Sequence, residues 1–157
     1  MQLRENILCG NYSFCVNISA DYGEQLYTFG MKCKSADHGV LIFEITSPES
    51  IAGITGTMDD HTSNITFDGH ILAFEPLTDK QIAPISAPWI LINSLKSGYI
   101  QGYSGKAQPQ VILDDSYEDE SLQLQVWLND ENNPVYAEIY WDERRVITME
   151  ITEFQVW

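Results

Sequence analysis

The sequence predicts a mainly β (α+β) fold: one large curved antiparallel sheet or half-open barrel of about 11 strands, with one mid-chain helix over its concave face. Three observations predict it. Apolar residues recur at every second position through most of the chain, short turn sequences separate these stretches, and one mid-chain interval changes to helical spacing.

In residues 11–19, Tyr12, Phe14, Val16 and Ile18 fall on one face of a strand, opposite Asn11, Ser13, Asn17 and Ser19. A turn at residues 21–24 leads to residues 26–33, where Tyr27, Phe29, Met31 and Cys33 share a face and complete a hairpin. Residues 40–46 are apolar on both faces, which predicts a strand covered on both sides; Pro48 ends it. Shorter strands are predicted near residues 53–58, 62–67 and 71–74, with Asp68-Gly69 as the hairpin turn of the last two.

From Pro84 the spacing changes. Ile85, Trp89, Ile92 and Leu95 follow one another at steps of four, three and three, an amphipathic helical stripe that Gly98 closes. Ile90 and Leu91 make the rest of that helix more apolar than a solvent-facing back requires, so it is covered on more than one side. Period two returns at residues 99–103, 110–113, 122–128, 135–141 and 147–152. The connections lack the alternating helices of a parallel sheet, so the pairing is antiparallel. A twisted sheet of this size curls, and something must fill its concave side.

The chain has 157 residues, 44% of them hydrophobic, enough for one sizeable core and hence a single domain over residues 1–157. No run approaches the roughly 18 apolar residues of a membrane-spanning helix. A net charge of −15 repels nucleic acid and anionic membrane surfaces, so nucleic acid is not an expected partner.

Cys9, Cys15 and Cys33 form no C-x-x-C pair and have no histidine at zinc spacing. In an oxidising compartment Cys33 is expected to bridge to Cys9 or Cys15; in a reducing one all three are expected to be small buried apolar groups. His38, His61 and His70 each sit beside turn residues, as surface histidines do, and no metal or cofactor is expected. The acidic clusters Asp59-Asp60 and Asp114 to Glu120 lack calcium-loop spacing and read as solvated turns. A glycosidase needs two carboxylates facing each other across a cleft, which neighbours in sequence do not supply. With no G-x-S-x-G elbow, phosphate loop or Cys-His signature, the chain reads as a non-enzyme. Trp127 stands apart: it shares a face with Gln123, Gln125 and Asn129, opposite Leu122, Leu124, Val126 and Leu128, and is either a contact residue or covered by another segment.

Residues 43–54 (FEITSPESIAGI), the ITFDG of residues 65–69, the mid-chain helix and the closing hairpin of residues 134–154 together resemble the LolA-like lipoproteins and lipoprotein carriers. The resemblance covers residues 40–154. It implies a half-open barrel with helix over the concave face, and an apolar cavity that holds a lipid or acyl chain. It also implies an exported cell-envelope protein, lipid-anchored and bacterial. Residues 1–8 are too short and polar for a signal peptide, and Leu8 before Cys9 is bulkier than a lipoprotein cleavage site tolerates, so any export signal or anchor is expected upstream. The chain enters its first strand almost at once, where the carriers have a preceding helix.

The leading expectation is therefore a non-enzymatic envelope lipoprotein that binds a hydrophobic ligand, or an apolar segment of another envelope protein, with membrane association only through an upstream lipid anchor. The expected ligand-binding residues are Phe14, Phe29, Met31 and Phe43 on the sheet with Ile85, Trp89, Ile92 and Leu95 on the helix. The alternatives are a carbohydrate-binding or carbohydrate-processing β-protein using Trp127 and the acidic turns, and a scaffold that fills its concave face with its own side chains.

Overall fold

The computed structural model describes residues 2–59, 63–67, 70–73, 77–78, 81–104, 109–114 and 122–157. The chain opens with a short helix, α1 (Gln2–Cys9), followed by β1 (Tyr12–Asp21), β2 (Leu26–Ser35), β3 (Leu41–Ser47), β4 (Thr55–Met58), β5 (Ser63–Phe67) and β6 (His70–Ala73). A small pair, β7 (Leu77–Thr78) and β8 (Gln81–Ile82), precedes a 3-10 turn, Pro84–Ser86, that runs into α2 (Ala87–Ser97), 14 helical residues in all. The chain ends with β9 (Tyr99–Ser104), β10 (Gln110–Asp114), β11 (Leu122–Leu128), β12 (Pro134–Trp141) and β13 (Arg144–Val156).

The main sheet is antiparallel in the order β6-β5-β4-β3-β2-β1-β13-β12-β11-β10-β9. One meander runs outward from β1 to β6 and a second runs inward from β9 to β13; the first and last strands join them, with Val16 opposite Ile151 and Ile18 opposite Met149. Because β6 and β9 are the two edges and do not pair, the sheet is open. This order explains the mid-chain helix. The chain leaves one edge at β6 and must reach the other at β9, and α2 lies in that crossover.

The expected sheet of about 11 strands is corrected to a core-bearing sheet of eight. The ladder does extend through β5 and β6 on one side and β9 on the other, but the described buried strand residues all come from the eight strands between β4 and β10 in sheet order. One face supplies the core: Tyr12, Phe14, Val16, Ile18 and Ala20 on β1; Leu41, Phe43 and Ile45 on β3; Leu124, Val126 and Leu128 on β11. Burial alternates along β1, β3 and β11, as a period-two sequence covered on one side requires.

Three further expectations are corrected. The strand at residues 40–46 is covered on one face only: Leu41, Phe43 and Ile45 are buried, Glu44 is exposed, and Ile42 is half-buried on the opposite face, where it lies across from Lys34. Its second apolar face is a single isoleucine beside a long lysine stem, enough to shelter it without a covering layer. The chain does not start directly in a strand, since residues 2–9 form α1, which buries Leu3 and Ile7 on one side. Eight residues are too few to hold a helix in water, so packing stabilises this one. Finally, Cys9, Cys15 and Cys33 are all free. Cys33 points into the core with Phe14 opposite, whereas Cys15 pairs with Lys32 on the other face; strand neighbours on opposite faces cannot bridge.

The Asp68-Gly69 turn, His61 and the acidic run of residues 115–120 lie outside the described residues. His38 is exposed, with φ 62°, in the 3-10 turn Asp37–Gly39.

Candidate functional site

The helix-covered face of the sheet brings the eight sequence-expected residues together in one apolar cluster. Phe14, Met31 and Phe43 are buried on adjacent strands, Phe29 lies at the cluster's margin at 9% exposure, and Ile92 and Leu95 are buried on α2. Ile85 and Trp89 are only partly buried. The buried side of α2 is formed by Ala87, Pro88, Ile90, Leu91, Ile92, Ser94 and Leu95. The expected stripe is therefore rotated by about a third of a turn, and Ile85 and Trp89 lie on the rim of the contact rather than at its centre. Leu91 and Ile90, the apolar residues off the stripe, are the reason: Leu91 takes the central position and Ile90 one edge of the buried side.

Local backbone features shape this face. Opposite Phe14, β13 carries a bulge, since Ser13 pairs with Gln155 and Cys15 with Thr152, leaving Glu153 and Phe154 against one residue. Glu153 takes φ 54°, and Phe154 is turned to stack on Phe14 with ring centroids 5.7 Å apart. On β4, Gly56 lies across from Phe43, and a Cβ there would overlap the Phe43 ring and the Asn64 carbonyl. Glycine at this position lets the ring lie flat against the strand.

Sequence reasoning missed three participants on α1 and α2. Arg4 donates from Nε to the Leu95 carbonyl and from Nη2 to the Gly98 carbonyl, both at 2.7 Å, capping the end of α2. Lys96 Nζ lies 5.2 Å from the centre of the Tyr12 ring. Ser94 Oγ is buried without a hydrogen-bond partner among the described residues. An unmade bond of this kind costs about 1–3 kcal/mol. Only Leu3 and Ile7, four apart, hinted at α1 in the sequence.

The opposite face of the sheet is polar. A groove of about 470 Å³ is lined there by Cys15, Lys32, Lys34, Glu44 and Glu153 among others. Cys15 Sγ donates to Glu153 Oε2 at 3.3 Å; burial, followed by this bond, raises the thiol above its ordinary range. Burial raises Cys33 further still. Both sulfurs are held as thiols, which are poor nucleophiles and poor metal ligands. Among the described residues no group of three or more His, Cys, Asp and Glu is placed to hold a metal ion.

Further along this face, Glu138 is 8% exposed and accepts three hydrogen bonds: from Tyr140 Oη at 2.7 Å, Tyr136 Oη at 3.1 Å and Arg145 Nη1 at 3.1 Å. Its bonds raise Tyr140 and Arg145 above their ordinary ranges, while burial leads in raising Tyr136. The signal was present in the sequence, since Tyr136, Glu138 and Tyr140 at alternate positions share one face of a strand. Trp127, on the neighbouring strand, packs edge-on against Tyr136 with centroids 5.1 Å apart at 61°.

No protein-family model matches the sequence, and no curated protein matches it by sequence. Solved structures do resemble it. An uncharacterized conserved protein from Thermus thermophilus has a TM-score of 0.55 at 8% identity, over 99% of this chain and 85% of that one. A LolA superfamily protein from Nitrosomonas europaea has a TM-score of 0.46 at 13% identity, over 94% and 86% of the two chains. The lipoprotein LppX from Mycobacterium tuberculosis has a TM-score of 0.47 at 11% identity, over 98% and 91%. At 8% identity the likeness to the Thermus protein is one of fold. Among the described residues no helix is long and apolar enough to cross a membrane.

Proposed function

We propose that the chain is a non-enzymatic, exported envelope protein that holds a lipid, an acyl chain or an apolar segment of a partner protein between α2 and the sheet. The observation that carries this reading is the single seam between α2 and the apolar face. Eight strands spaced about 4.8 Å apart make a face roughly 34 Å across, while a helix is about 10 Å wide. The sheet must therefore curl around α2, and parting α2 from it would open the apolar interior along one line. Phe14, Phe29, Met31, Phe43, Ile92 and Leu95 would line the opened space, with Ile85 and Trp89 at its rim. Ser94 Oγ offers an uncommitted hydrogen-bonding group on the same side of α2. The envelope setting follows from the resemblance of residues 40–154 to the LolA-like lipoproteins, with residues 1–157 acting as one domain.

Native mass spectrometry of the purified protein, followed by titration with a fluorescent fatty acid, tests the reading. A co-purified acyl species, or saturation at one site that Trp89→Ala weakens, supports it. A clean apo mass together with flat titrations across several lipid classes overturns it and leaves a scaffold.

A further inference from the structure

The sheet face turned away from α2 carries a chemistry that the seam does not use. Gln125 lies directly opposite Glu138 in the β11–β12 ladder, and Trp127 opposite Tyr136. On the other side, Gln110 of β10 faces Trp127 and donates from Nε2 to Gln125 Oε1 at 2.8 Å. Four adjacent strands, β10 to β13, thus present an amide pair, an indole and a carboxylate clasped by two phenols and a guanidinium. This is more order than a solvated face needs. Glu138 sits on the outer side of the sheet, where nothing obliges a carboxylate to be buried, yet it is almost fully covered by the groups that donate to it.

The geometry points to a binding site for a neutral glycan chain on the outer face of β10, β11 and β12. A pyranose presents a C–H face and a rim of hydroxyls. The Trp127–Tyr136 pair supplies the aromatic surface for the first. For the second, the Gln110–Gln125 bond leaves the Gln125 amide N–H groups and the Gln110 carbonyl uncommitted in that pair. Arg145, with its side chain 56% exposed and one described bond to Glu138, holds further N–H donors toward solvent. Glu138 and Arg145 balance each other in charge, and the surrounding chain at −15 disfavours an anionic polymer, which selects for a neutral one. The site binds and does not cleave. Glu138 has both oxygens engaged by three donors, so it is a positioning residue for Arg145 and the two tyrosines, not a free acid or base. The inference does not depend on the α2 seam, which lies on the other side of the sheet.

The test is isothermal titration of the full chain with soluble neutral hexasaccharides of β-1,4-glucose, β-1,4-N-acetylglucosamine and α-1,6-mannose, with oligogalacturonate as the anionic control. Saturable binding of at least one neutral hexasaccharide is expected, weakened about tenfold or more by Trp127→Ala and by a smaller factor by Arg145→Gln. Leu26→Ala, an exposed position on β2 outside both sites, should leave the affinity unchanged. Should Trp127→Ala fail to fold, Gln125→Ala with Arg145→Gln carries the same test, since both replace partly exposed side chains. Flat titrations with all three neutral sugars, binding of oligogalacturonate alone, or an affinity indifferent to these substitutions in folded protein would each overturn the proposal.

Discussion

Arg4 spans the end of α2 with two forked hydrogen bonds, one to the carbonyl of Leu95 and one to that of Gly98, across 91 and 94 residues of sequence. The last carbonyls of a helix have no partner within it, and a guanidinium supplies both hydrogen bonds and a charge of the right sign. Arg4→Ala is expected to destabilise the protein by about 2 kcal/mol and lower Tm by about 4–8 °C. Arg4→Lys should recover less than half of this, because one ammonium does not reproduce the fork. A thermal melt reads both variants, and an unchanged Arg4→Ala melt would remove the clasp from the account.

The three thiols should differ in reactivity. Cys9 is exposed, Cys15 is half-buried and bonded to Glu153, and Cys33 is buried among apolar groups, with burial raising its thiol well above the ordinary range. Alkylation of the native protein followed by peptide mass spectrometry should modify Cys9 first and Cys15 more slowly. Cys33 should react only after unfolding, and three free thiols should then be counted. A disulfide between Cys15 and Cys33 in protein prepared under oxidising conditions would contradict their opposite-face placement.

Tyr12 titrates against the fold at high pH. Burial, with a smaller contribution from Cys33, pushes its phenol to about 12, and burial does the same for Tyr22. A raised folded-state value means that the native protein keeps a proton the unfolded chain has released. Stability is therefore fully present below about pH 10 and falls as pH rises from the ordinary tyrosine value toward about 12. Urea midpoints measured from pH 8 to pH 11.5 should fall, and Tyr12→Phe should flatten the fall in part, since Tyr22 remains. An equal slope in Tyr12→Phe would sink this assignment.

The strands were legible because a one-sided sheet imposes period two on its sequence. Tyr12 to Ile18 and Leu122 to Leu128 show the alternation, and burial follows it residue by residue. What tertiary packing decides was not legible. Leu3 and Ile7 make a helix only because α2 and the sheet are there to bury them. A helix apolar on most sides, as α2 is, does not declare which side faces the sheet, so Ile90 and Leu91 took the place expected of Ile85 and Trp89. The bulge at Glu153 has neither glycine nor asparagine to announce its φ of 54°, so the Phe14–Phe154 stack could not be foreseen. Glu138 was missed for another reason: alternation places Tyr136, Glu138 and Tyr140 on one face, but only cross-strand register shows that Arg145 meets them.

Trp89 and Leu91 separate a ligand seam from a sealed core. Leu91 is 0% exposed on the buried side of α2, so Leu91→Ala should cost the full core amount, about 2–5 kcal/mol. Trp89 is only partly buried at the rim and already lacks part of its packing, so Trp89→Ala should cost less than about 2 kcal/mol despite removing a larger side chain. Uptake of a fluorescent fatty acid should show the reverse order, with Trp89→Ala losing affinity and a milder core variant, Leu91→Met, keeping it at nearly native stability. Urea unfolding and ligand titration on the same preparations give both quantities. If Trp89→Ala destabilises as much as Leu91→Ala while no acyl probe binds either the native protein or its variants, α2 is a plug that completes the core, and the seam is not a binding site.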